Sequence, residues 1–102
     1  MTTTVQDIVR LIVRYYSPER IVLYGSQAKG LANERSDIDL AVILPSPLTA
    51  NDGGNYIRNR LAGCSVAVDL HFYTSQEFLD GIERPFSLEE TIHKTGRAVY
   101  ER

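Results

Sequence analysis

The stretch Leu23–Leu44, LYGSQAKGLANERSDIDLAVIL, decides the fold. It joins two apolar runs. Ile21–Tyr24 ends at the pair Gly25-Ser26, and Ile38–Leu44 carries Asp39 inside it and Asp37 just before it. Short apolar runs bounded by turn residues read as buried strands. Aspartate is depleted in strands, so two of them one residue apart need a reason. Side chains alternate along a strand, which puts Asp37 and Asp39 on one face, about 6.6 Å apart along the backbone. Ile38, Leu40, Val42 and Leu44 are left to fill the other face.

A later run repeats the device. Across Val66–Tyr73, the residues Val66, Val68, Leu70 and Phe72 share one face, and Asp69 shares the other with His71 and Tyr73. If both apolar faces pack on the same helical layer, Asp37, Asp39 and Asp69 project together from the opposite side of the sheet. Three carboxylates gathered there repel one another unless cations sit among them. Hard oxygen ligands of this kind suit Mg²⁺, which takes one or two protein carboxylates and shares its remaining positions with substrate phosphates. The plainer reading stays open at this point. A single Asp-x-Asp is more often a turn followed by a solvent-facing aspartate, and an isolated Asp69 is more often a surface residue.

The turn before the second run shifts the balance. Glycine at position 25 lets a phosphate approach the backbone, and the free N–H groups of a helix opening at Ser26 point at it. The Ser26 hydroxyl adds a donor, and Lys29 one turn on adds a charge. A serine-capped strand-to-helix turn is the ordinary alternative. Gly25 and Gly30 have the glycine spacing of a P-loop, but Leu31-Ala32 stands where Lys-Ser or Lys-Thr is required, so that reading fails.

The flanking sequence supplies the rest of an α/β pattern. Thr3 with Gln6 suits a capping box, and Val5, Ile8, Val9, Ile12 and Tyr16 then recur at helical spacing. Ser17-Pro18 ends that helix. A short helix from Ser26 to about Gly30 or Leu31 follows the first strand. After the polar, glycine-rich segment SPLTANDGGN comes a short helix over Tyr56–Leu61. A brief helix capped by Ser75 runs to Leu79 and closes at Gly81. Ser87 and Glu90 read as a second capping box for a helix ending near Gly96, and AVYE reads as a final short strand.

Composition narrows the function. The 102 residues are 43% hydrophobic and 24% charged with a formal net charge of −2, and the basic residues are scattered. No long nucleic acid or anionic membrane is implied as a partner. A single cysteine, Cys64, forms no internal disulfide and fits a reducing cytoplasm. Asp7, Arg10 and Arg14 interrupt the N-terminal segment too often for a signal peptide or membrane span.

Taken together, Gly25-Ser26, ten intervening residues and Asp37-Ile38-Asp39 resemble the G-S-x10-D-x-D signature of the DNA polymerase beta-like nucleotidyltransferase superfamily. Asp69, in VAVDLHFY, falls where that superfamily places its third carboxylate, and the tail HKTGRAVYE is similar to the tails of its minimal nucleotidyltransferases. The resemblance implies an α/β (α+β) fold with a small mixed β-sheet and helices packed on one face. It implies one minimal nucleotidyltransferase domain over residues 1–102.

It also implies a mechanism. Two Mg²⁺ ions held by Asp37, Asp39 and Asp69 bind the triphosphate of ATP and align an acceptor hydroxyl with the α-phosphorus. Gly25 and Ser26 hold the departing phosphates, and Asp69 favours deprotonation of the acceptor. Gln27 stands where many relatives have arginine, which leaves side-chain help with the phosphates to Lys29. His71 is read as a structural histidine beside the site.

So short a chain leaves little for binding an acceptor, and minimal nucleotidyltransferases are commonly paired with a helical HEPN protein, often an RNA-cleaving toxin. The resemblance therefore implies an antitoxin that transfers AMP to a hydroxyl of a HEPN toxin. The alternatives are a subunit acting on a small molecule or RNA, and a non-catalytic neutralising subunit. Tyr15, Tyr16, Tyr56 and the terminal AVYER are the expected surface for self-association or a partner.

Overall fold

The computed structural model describes residues 4–25, 38–46, 54–63 and 67–102. In chain order the elements are α1 (Val5–Tyr16), β1 (Arg20–Tyr24), β2 (Ile38–Leu44), α2 (Asn55–Leu61), β3 (Val68–Thr74), α3 (Ser75–Ile82), α4 (Leu88–Thr95) and β4 (Arg97–Glu101). The helix expected after Ser26 lies outside the described residues.

α1 starts one residue later than its sequence suggests. Thr4, rather than Thr3, is the N-cap: its hydroxyl accepts from the Asp7 N–H, and the Asp7 carboxylate accepts from the Thr4 N–H. Aspartate at the third helical position closes the box as glutamine or glutamate does. The Thr4 N–H, then the Thr4 side chain, helped by Arg10, hold the Asp7 carboxyl below its usual range. Ser17 adopts the left-handed conformation and stops the helix. Further along, Thr74 caps α3 with Glu77 in reciprocal bonds, one residue ahead of the expected Ser75, and α3 runs through Gly81 to Ile82. Ser87 caps α4, accepting from the Glu90 N–H, but its own N–H goes to the Arg84 carbonyl rather than to Glu90, so the expected box is only half formed.

The strands form one mixed sheet in the order β3-β2-β1-β4. β1 pairs antiparallel with β2 and with β4, and β2 pairs parallel with β3. A parallel neighbour requires a crossover, and the segment containing α2 makes it. Ile21, Leu23, Ile38, Leu40, Val42, Leu44 and Leu70 face α1 and α2, burying Ile8, Ile12, Tyr16 and Ile57. This is the helical layer the alternation called for.

The opposite face is covered in part as well. Val22, Ala41 and Ile43 pack there against Phe78 of α3 and Ile92 of α4. Helices were expected on one face; α3 and α4 add a second, shorter layer. Gly81 brings them together, because a Cβ there would lie 2.4 Å from Glu89 Cγ. Tyr24, Asp39, Asp69 and His71 share this second face by strand alternation.

Candidate active site

Three neighbouring strands place three side chains in one row. Tyr24 on β1 pairs with Asp39 on β2, and Asp39 pairs in register with Asp69 on β3. Neighbouring strands lie about 4.8 Å apart, so the two aspartate backbones are as close as a sheet allows. Asp39 is half-buried and Asp69 is exposed. Both point away from α1 and α2, since the flanking Ile38, Leu40, Val68 and Leu70 point toward them.

Gly25 closes the row at the end of β1. Its φ is +77°, a conformation that costs most residues strain, and a Cβ there would lie 2.5 Å from Asp39 Oδ2. The Asp39 carboxylate therefore lies against the Gly25 backbone, and only glycine leaves it that space. The turn and the carboxylate, separated by thirteen residues of sequence, form one site.

Tyr24 is the residue the sequence reading missed. Read as one continuous apolar run, Ile21–Tyr24 hid the alternation that sends Val22 and Tyr24 to the carboxylate face. Tyr24 is 7% exposed, and its ring centroid is 6.2 Å from that of His71. Burial, then the charges of Asp39, Tyr73 and Asp69, push its phenol well above the usual tyrosine range. Tyr73, two positions beyond His71, is pushed up to about 12 by burial and by its hydrogen-bonded neighbour Glu89, with a smaller effect from Glu77. The two phenols thus line the side of the site that meets α4.

Of the expected site residues, the structure brings Gly25, Asp39 and Asp69 together; Ser26, Lys29 and Asp37 lie outside the described residues. Among the described residues no group of three or more His, Cys, Asp and Glu side chains converges as a metal-binding set. Asp39 and Asp69 nonetheless make a pair of hard oxygen donors on adjacent strands, the number of carboxylates with which Mg²⁺ is commonly held. The donor set fits the ion.

A separate cleft of about 390 Å³ lies at the other end of the strands, between Glu19, Arg20, Ile43, Ser75 and Phe78. Ile43 is four residues along β2 from Asp39, about 13 Å away, so this cleft is not the carboxylate site. In it Ser75 Oγ donates to Glu19 and the Arg20 guanidinium lies 5.7 Å from the Phe78 ring centroid. On the α1–α2 side, Tyr15 and Tyr56 stack with ring centroids 3.8 Å apart and are exposed. Tyr16, expected at the surface with them, is 1% exposed and packs edge-on against Phe72. Its place in the apolar stripe of α1 decides its fate. Among the described residues, no helix is long and apolar enough to cross a membrane.

This sheet, with a glycine turn and paired carboxylates on one face, defines a nucleotidyltransferase fold. Residues 5–98 match the nucleotidyltransferase domain family, and the chain belongs to it. No curated protein sequence matches the chain. Among solved structures, a proposed nucleotidyltransferase from Sulfolobus solfataricus is similar, with a TM-score of 0.62 and 19% identity over 95% of this chain and 77% of that one. A chain of a toxin–antitoxin crystal structure with AMP-PNP is similar at a TM-score of 0.55 and 16% identity, over 97% of this chain and 75% of that one. At these identities the likeness is one of fold.

Proposed function

We propose that the chain transfers AMP from ATP to a hydroxyl of a partner protein, as the antitoxin of a pair whose toxin is a HEPN protein. The in-register pairing of Asp39 with Asp69 beside the Gly25 turn carries this reading. The toxin–antitoxin relative with AMP-PNP supports a protein partner and an adenine nucleotide.

Asp37, Asp39 and Asp69 would hold Mg²⁺, which when bound supplies the positive charge that offsets the carboxylates and the triphosphate. Backbone N–H groups at Gly25 and Ser26, with the Ser26 hydroxyl and Lys29, receive the β- and γ-phosphates. Asp69, the more exposed carboxylate, faces the acceptor and takes its proton. The acceptor oxygen then bonds to the α-phosphorus as the bond to the pyrophosphate oxygen breaks, and pyrophosphate leaves. Gly25 and Asp39 fix where this happens by touching each other.

The test is incubation with α-labelled ATP, Mg²⁺ and the product of the adjacent gene. Label on that protein supports the proposal. Label appearing only on a small molecule or RNA favours a different acceptor. Tight binding of the neighbour with no transfer under any condition indicates a neutralising subunit.

A further inference from the structure

We propose that Tyr24 is a substrate-contacting residue, donating its phenol O–H to an oxygen of the triphosphate. This rests on the nucleotidyl-transfer reading and adds to it a residue outside the glycine-serine and aspartate signature.

Geometry carries the proposal. The Tyr24 ring is buried at 7% exposure, in the row that holds Asp39 and Asp69. Among the described residues no hydrogen bond to its hydroxyl is found, and Asp39, Tyr73 and Asp69 all act on it electrostatically. Among the described residues no enclosed side-chain oxygen or nitrogen lacks a partner, so this hydroxyl is open to the site. A phenol fixed by its buried ring on the carboxylate face, with a donor to offer, is suited to meet something from outside the protein.

Position selects the ligand group. Tyr24, the last residue of β1, directly precedes Gly25, whose turn is the proposed phosphate cradle. Asp69, at the acceptor end, is two strands away, about 9.6 Å across the sheet. The two carboxylates that follow it in the row accept hydrogen bonds but offer none when ionised, whereas a phenol keeps its proton at neutral pH. A donor at this point relieves the repulsion between Asp39 and an incoming polyphosphate. A hydrogen bond to a charged phosphate oxygen is among the stronger kinds.

The experiment is calorimetric titration of the whole chain with AMP-PNP in Mg²⁺, comparing wild type with Tyr24→Phe. Phenylalanine keeps the ring and removes only the donor. The expected result is binding weakened about tenfold or more, with AMP itself affected far less. Equal AMP-PNP affinities overturn the proposal. So does intact AMP-PNP binding with lost transfer, which places the phenol at the acceptor. A wild type that binds no nucleotide overturns the nucleotidyl-transfer reading along with this one, whereas a binding wild type with an unaffected variant overturns this one alone. Should Tyr24→Phe not fold, the Tyr24 ring ¹³Cζ resonance of the wild type is followed during the titration. It must shift with AMP-PNP, and an unmoved resonance overturns the proposal.

Discussion

Asp39 and Asp69 are direct partners on parallel strands, and Asp39 also lies against Gly25. Parallel register aligns the two carboxylates along one line across the sheet. Two like charges so placed repel each other, and a cation between them offsets that repulsion. Position, rather than any single residue type, makes the pair a candidate reaction centre.

Gly25→Ala tests the contact between turn and carboxylate. The new methyl would meet Asp39 Oδ2 at 2.5 Å with the backbone at φ +77°. Left-handed backbone costs a residue with a Cβ about 1–2 kcal/mol, so thermal or denaturant unfolding should register a loss of that size. Transfer should fall further, since displacing a reacting group by about 1 Å can cost on the order of 10²-fold. Wild-type transfer in Gly25→Ala would show that Asp39 moves aside without consequence.

Phe86→Asn should stabilise the chain. Phe86 sits in the α3–α4 turn at φ +62° and is 97% exposed, so it bears backbone strain and returns almost no burial. Asparagine tolerates that conformation better. A gain of about 0.5–1 kcal/mol is expected, a few degrees in Tm for a domain of this size. A lower Tm would reveal packing at Phe86.

Alkaline pH should destabilise the protein through the phenols of Tyr24 and Tyr73. Tyr73 is raised to about 12 by burial and then Glu89, and Tyr24 is raised further by burial and then Asp39. Folding favours the protonated phenols, so their contribution is fully present below the unfolded value near 10 and declines as pH rises from there through about 12. Absorbance at 295 nm should show Tyr24 and Tyr73 ionising well above the usual tyrosine range. Tyr73→Phe should flatten the alkaline fall in stability. Ionisation of Tyr24 and Tyr73 at the ordinary tyrosine value in the folded chain would contradict this.

Strand β2 was legible to the residue because Ile38–Leu44 is bounded by Pro45 and carries its polar residue at an alternating position. The facing of Asp69 followed from the same alternation on β3. What local pattern could not carry was adjacency: β2 and β3 are joined by a long crossover, and a parallel register is set by packing far from either aspartate in sequence. The second helical layer was hidden for a related reason. α3 and α4 are eight residues each and bury few side chains, chiefly Phe78 and Ile92. Tyr24 escaped notice because an aromatic in an apolar run reads as core; only its partner Asp39 on the next strand shows that it stands on the carboxylate face.

The most direct test of the central claim compares Asp39→Asn and Asp69→Asn in two assays, Mg²⁺-dependent ATP binding and label transfer to the co-purified partner. Asp39→Asn should weaken ATP binding, because it removes a charge from the place where cation and phosphates meet; Asp37→Asn should do the same. Asp69→Asn should keep much of the ATP affinity while transfer falls roughly 10²–10⁴-fold, the usual cost of losing a general base. Transfer at the wild-type rate in Asp69→Asn would make Asp69 an ordinary strand aspartate and contradict the account.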